Sequence, residues 1–151
     1  MTQQPPYRLH DSLGYRLSIA SRQQERRLDD SLRGLGLTRI TWCVLLAVGN
    51  EGLTQPSDIA DFVGIDRTAT SRALRQMEAA GLVARDTGDG DRRTRRVQLT
   101  AAGTTALTEG TPLARANGAA LAARLSDAEH AQLKSLLDKL VQGDSRGLKH
   151  L

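Results

Sequence analysis

Aromatic residues make up only 3% of this 151-residue chain, so its one tryptophan, Trp42, is expected to anchor the core. A single cysteine, Cys43, excludes an intramolecular disulfide framework and every multi-cysteine zinc site. Cys43 lies in an apolar run beside Trp42 and Val44, where a free thiol usually acts as a small hydrophobe rather than a redox sensor. No apolar run approaches the roughly 20 residues that a membrane span requires. Met1 to Pro6 has neither the charged start nor the apolar stretch of a secretory signal, so a cytoplasmic location is expected. Lysine is scarce as well: Lys134, Lys139 and Lys149 leave 18 of the 21 basic residues as Arg. Arginine's planar fork suits phosphate and guanine better than a lysine point charge does. A catalytic constellation is also missing. His10, His130 and His150 are scattered, with no nucleophile or paired carboxylate at a useful spacing, so neither an enzyme nor a metal or cofactor site is expected.

What is present fits one globular domain spanning 1–151, with 39% hydrophobic and 25% charged residues. A net charge of +4 favours a polyanionic partner only weakly, and the charge is spread along the chain rather than massed in one segment.

Apolar residues at Leu13, Leu17, Ala20, Leu28 and Leu32 predict a long amphipathic helix from about Asp11 to Arg33. Gly34 and Gly36 should end it. Thr38 to about Val48 is apolar nearly all round and should form a central, buried helix.

The stretch from Thr54 to Arg96 carries the most information. Thr54-Gln55-Pro56 opens a short helix, with Ile59, Ala60, Phe62 and Val63 as its expected apolar face. Gly64 breaks it. Asp66 should cap a second helix, in which Ala69, Ala73, Leu74, Met77 and Ala80 form the expected buried side up to Gly81. The opposite side carries Arg67, Thr68, Ser71, Arg72, Arg75 and Gln76, the short hydroxyls and long donors that reach base edges and phosphates in a major groove. Leu82 to Asp86 and Arg95 to Leu99 then read as two short strands around the turn-forming run Gly88-Asp89-Gly90-Asp91. The returning strand holds Arg92, Arg93, Arg95 and Arg96 without an intervening acid, a composition suited to an electronegative minor groove.

Leu37-Thr38, Trp42, Val44-Leu45, Asp66-Arg67-Thr68, Ser71-Arg72, Glu78, Gly81-Leu82-Val83, Arg85, Asp91-Arg92-Arg93, Leu99-Thr100 and Gly103 occur in order and at spacing that resemble the MarR family of winged helix-turn-helix regulators. The Glu-x-x-Gly-Leu-Val-x-Arg run and the Asp-Arg-Arg wing carry most of that likeness. It covers nearly the whole chain. The fold expected is mainly α with a small β-hairpin wing, residues 37–100 forming the DNA-binding region and 8–36 with 101–142 a helical dimerisation region. Two departures stand out, Ala69 where relatives commonly have a hydroxyl and Thr70 where a branched apolar residue packs inward.

Thr100 should cap a helix from Ala101 that runs toward Leu125, with a kink or break at Gly110-Thr111-Pro112. Ser126 to Glu129 reads as a capping box for a last helix from Asp127 to about Val141, striped with Leu133, Leu136, Leu137 and Leu140. The terminal helices expose more apolar surface than a domain of this size covers, so pairing with a second copy is expected. The resemblance implies that first and last helices of two chains interleave, placing two reading helices on a pseudo-palindromic operator.

Arg67 is expected on phosphate, Thr68, Ser71 and Arg72 at base edges, and Arg92, Arg93 and Arg95 in the wing contact; Arg75, at a position often acidic in relatives, is expected to add a phosphate contact. The resemblance implies a repressor released by a small anionic effector, an aromatic or phenolic acid, and the spare arginines also admit an acyl-coenzyme A thioester. Tyr15, Arg16, Ile19, Arg22 and Trp42 are the candidates to hold it. Two other readings stand beside this one: a sequence-neutral architectural DNA binder, and a winged-helix module that binds protein.

Overall fold

In a computed structural model the described residues are 4–86 and 96–142. Within them the chain forms six α-helices and one antiparallel strand pair. Helix α1 spans Leu13–Leu32, its first turn closed by Ser12, whose hydroxyl accepts from the Tyr15 N–H at 3.2 Å. A single 3-10 turn, Arg33–Leu35, and Gly36 at φ +70 end it, the left-handed angle being one that glycine adopts without strain.

Helix α2, Arg39–Gly49, occupies the centre, with Thr41, Trp42, Val44, Leu45, Ala47 and Val48 buried and α1, α3, α4, α5 and the second strand packed around it. Its cap is reciprocal. The Thr41 N–H donates to the Thr38 hydroxyl, and the Thr38 N–H donates to the Thr41 hydroxyl at 2.8 Å. Threonine takes the place of the usual Glu or Gln in such a box. Helix α3 is Pro56–Val63 and helix α4 is Arg67–Ala79, followed by strand β1, Val83–Arg85, strand β2, Val97–Leu99, helix α5, Ala101–Ala122, and helix α6, Asp127–Val141. The strands pair Val83 with Leu99 and Arg85 with Val97.

Three expectations need correcting. Phe62 is 53% exposed rather than part of the core face of α3. At about 100° per residue, Ile59, Val63 and Ala60 span one arc, and Phe62 falls about 60° outside it. In α4 the centre of the buried arc is Thr70, 1% exposed, while Ala69 sits at its edge and Ala80 is exposed. The Thr70 hydroxyl donates to the Asp66 carbonyl at 2.8 Å, so a polar side chain is buried with its donor satisfied.

The third concerns α5, which is not broken at Gly110-Thr111-Pro112 but runs as one helix through them. Gly110 is there because Trp42 needs the space: a Cβ on it would collide with the indole ring. Pro112 leaves one carbonyl of the preceding turn without its helical donor, but packing of α5 on α1 and α2 holds the helix together.

Helix α6 has no buried residue and no substantial contact with any other described element. Leu133, Leu136, Leu137, Leu140 and Val141 are all exposed on it, and Leu13 and Leu17 are exposed on the first half of α1. No single helix among the described residues is long and apolar enough to cross a membrane.

Candidate nucleic-acid interface

Helix α4 is set by its two ends. At the start, an Asp66 carboxylate oxygen accepts from the Ala69 N–H at 2.6 Å, and Gly64 at φ +78 makes the tight turn that delivers the chain from α3. At the finish, Gly81 at φ +74 turns the chain, and the Leu82 N–H donates to the Met77 carbonyl at 2.9 Å. Ala73, Leu74 and Met77 then seat the helix on the core.

With that side fixed, Arg67, Thr68, Ser71, Arg72, Arg75 and Gln76 are all exposed. They occupy one continuous arc of the helix, alternating short hydroxyls with long donors; the one acid on that arc, Glu78, lies in the last turn and pairs with Arg85. A surface of this kind can donate to guanine and to phosphate and can approach bases closely at its serine and threonine.

The strand pair stands next to the end of α4. Arg85 Nε lies 3.4 Å from Glu78 Oε2, joining the last turn of the helix to β1. The Val97 N–H donates to the Thr54 carbonyl at 2.8 Å, fastening β2 to the segment that opens α3. The wing therefore issues from a frame tied to the helix-turn-helix at both strands. Its tip, with Arg92, Arg93 and Arg95, lies outside the described residues, as does the turn from Gly88 to Asp91. Arg96, at the base, is exposed.

The five effector candidates lie along α1 and on α2. Trp42 is 4% exposed, packed on Gly110 in the core. Tyr15 is half-buried and stacks on His10, ring centroids 5.0 Å apart, while Ile19 is half-buried and Arg16 and Arg22 are exposed on α1. The structure does show a cleft of about 380 Å³ between α1, the start of α2 and α4, lined by Glu25, Asp29, Arg39, Ile40, Arg72 and Gln76 among others. None of the five candidates lines it.

An acid-base cluster at this cleft was not foreseen from the sequence. Asp29 accepts the Arg39 backbone N–H at 2.6 Å, and Glu25 Oε1 lies 3.5 Å from Arg39 Nε. Periodicity along α1 marks Glu25 and Asp29 only as polar. Their partner is brought up by the turn at Gly36, and spacing along the chain does not tell where that turn sets Arg39.

Cys43 is half-buried on α2, and burial pushes its thiol pKa up, the nearby Arg39 cation only partly opposing this. Among the described residues no group of three or more His, Cys, Asp or Glu side chains is placed to hold a metal ion.

This geometry, a helix-turn-helix with an exposed donor face joined to a two-stranded wing, is that of a winged helix-turn-helix DNA-binding unit. The family model described as MarR family matches residues 35–94. A Thauera aromatica protein assigned as a transcriptional regulatory protein for the hcr operon is 36% identical over 96 residues, 64% of this chain and 57% of that protein. The chain thus aligns with little more than half the length of that relative. Among solved structures, the M. tuberculosis transcriptional regulator MosR in complex with DNA is 30% identical with a TM-score of 0.74, the match covering 87% of this chain and 95% of that one. A M. tuberculosis MarR family protein in complex with salicylic acid is 29% identical with a TM-score of 0.66, over 87% of this chain and 99% of that one. The chain belongs to the MarR family.

Proposed function

We propose that this protein is a homodimeric, sequence-specific DNA-binding transcription regulator, acting in the cytoplasm by binding rather than by catalysis. The observation that carries the reading is the α4 surface. Six polar side chains, three of them arginine, are exposed on one arc while Thr70, Ala73, Leu74 and Met77 hold the opposite side to the core. A module docking on protein has no need of a surface of arginines and hydroxyls beside an arginine-rich wing. In this reading Thr68, Ser71 and Arg72 meet base edges, Arg67 and Arg75 hold phosphates, and Arg92, Arg93 and Arg95 enter the minor groove.

The dimer is supported by α6, whose leucine stripe is exposed in one chain and would be covered by the terminal helices of a second. Two-fold symmetry would bring two copies of α4 to successive major-groove turns, about 34 to 36 Å apart, on an inverted repeat. Repression relieved by a small anionic effector is the mode we favour, on the strength of the salicylic acid complex of the M. tuberculosis relative. Such an effector acts only by preferring an arrangement of the two reading helices that fits DNA poorly.

Retention of fragmented genomic DNA at physiological salt, followed by sequencing, tests the reading. A few inverted-repeat sites support a specific regulator, and adjacent genes then nominate effectors to add to the binding assay. Even recovery of all fragments would favour an architectural binder, and no recovery would favour a protein-docking module.

A further inference from the structure

The cleft between α1 and α4 is lined on its α1 and α2 side by a three-residue cluster, Glu25, Asp29 and Arg39. Asp29, half-buried near the end of α1, accepts the Arg39 N–H at 2.6 Å. It takes one of the orphan donors in the first turn of α2, where the positive end of the helix dipole lies. Glu25, one turn earlier on α1, accepts from the Ser21 hydroxyl at 3.2 Å and pairs with the Arg39 guanidinium at 3.5 Å. The two carboxylates thus grip the backbone and the side chain of the same residue.

That residue opens α2, the helix against which α4 packs. Arg72 and Gln76 of α4 line the same cleft as Glu25 and Asp29. One polar tie between the long first helix and the DNA-reading unit therefore passes through Arg39, beside the apolar packing of Leu28 and Leu32.

We propose that Asp29 and Glu25 are positioning residues for DNA recognition: by clamping the first turn of α2 to α1 they set where α4 stands relative to the dimer axis. This rests on the dimeric, site-specific reading above. Two reading helices carried on one two-fold axis must match the groove repeat, so a loosened clamp costs register rather than a phosphate contact. Its signature differs from that of a DNA-touching residue. Loss of a phosphate contact lowers the dependence of log K on log salt by about one unit, whereas loss of register leaves that slope in place.

The test uses the full chain and the operator recovered from genomic DNA, together with operators lengthened or shortened by one base pair between half-sites. Asp29→Asn and Glu25→Gln keep shape and remove charge. Each is expected to weaken binding to the native operator roughly tenfold, within the usual range for coupling between sites, with an unchanged salt slope and a flattened preference for native spacing. The exchange Glu25→Arg with Arg39→Glu is expected to restore affinity and spacing preference. Glu25 and Arg39 are both partly exposed, so these variants report even if Asp29→Asn fails to fold. Native affinity and native spacing preference in Glu25→Gln would overturn the proposal, as would an equal loss on all DNA accompanied by a lower salt slope. If the wild-type protein itself distinguishes no DNA site, the failure lies with the regulator reading, and the positioning role falls with it.

Discussion

Arg72 and Arg75 are close in sequence on the exposed arc of α4 and differ in what each is expected to meet. Arg72→Ala should weaken operator binding by about 1 to 3 kcal/mol and relax the base preference at one position. Arg75→Ala, and Arg93→Ala in the wing, should weaken binding to all DNA alike and lower the salt slope by about one unit each. Anisotropy titrations at several salt concentrations separate the two behaviours. An unchanged slope and affinity would remove a residue from the interface. Cys43 gives a second residue-scale prediction. Only the thiolate reacts, and burial raises the thiol pKa, so alkylation at neutral pH should be slow in the native protein and should accelerate on unfolding. The sign for stability follows. The native state keeps its proton to higher pH than the unfolded chain, so the contribution is complete below the unfolded thiol pKa and is lost as pH rises through the folded value.

The helices show what sequence spacing can and cannot disclose. Asp66, Thr100 and the Ser126 to Glu129 box were legible as caps, because a cap is a local event between residues three apart, and each closes its helix as expected. Gly110 and Pro112 read as a break for the same local reason. What overrides them is tertiary packing of α5 on α1 and α2, in which Trp42, far away in the chain, fills the space where a Cβ on Gly110 would stand. Gly110→Ala should therefore destabilise the fold by about 1 to 3 kcal/mol, the usual cost of overpacking, despite alanine's better helix propensity. A shift in melting temperature measures it, and unchanged or raised stability would show that Trp42 can move aside. In α6, hydrogen bonds from the Ser126 backbone and side chain hold the Glu129 carboxyl below its ordinary range. The cap's contribution is present above the unfolded carboxyl pKa and lost as pH falls through the lowered folded value. Helicity measured by circular dichroism should lose that acid-sensitive portion in Glu129→Gln, whose amide keeps capping without titrating.

At the scale of the whole molecule, the apolar residues that the chain leaves uncovered are as informative as those it buries. The core gathers around α2, from Leu32 through Ala106, and needs neither α6 nor the first half of α1. Leu136 and Leu140, 47% and 55% exposed, are therefore free to serve an interface. Leu136→Asp with Leu140→Asp should leave the winged helix folded while shifting the sedimenting species from dimer to monomer. A wild-type monomer would contradict the interface assignment. The reading helix, the strand pair and their order were legible because periodicity, turn residues and family motifs agree there. The Glu25, Asp29 and Arg39 cluster was not, since a contact across a glycine turn depends on where two helices come to lie. The cleft beside it was not legible for the same reason.

The central claim is that α4 reads sequence, and its most direct measurement is a ratio of affinities at one fixed salt concentration. The recovered operator and a scrambled duplex of equal length and composition are titrated with the same protein under identical conditions. A preference of about a thousandfold or more for the operator is predicted, falling toward that of the scrambled duplex when Arg72 is replaced by alanine. Equal affinity for the two duplexes, however tight, would contradict the account.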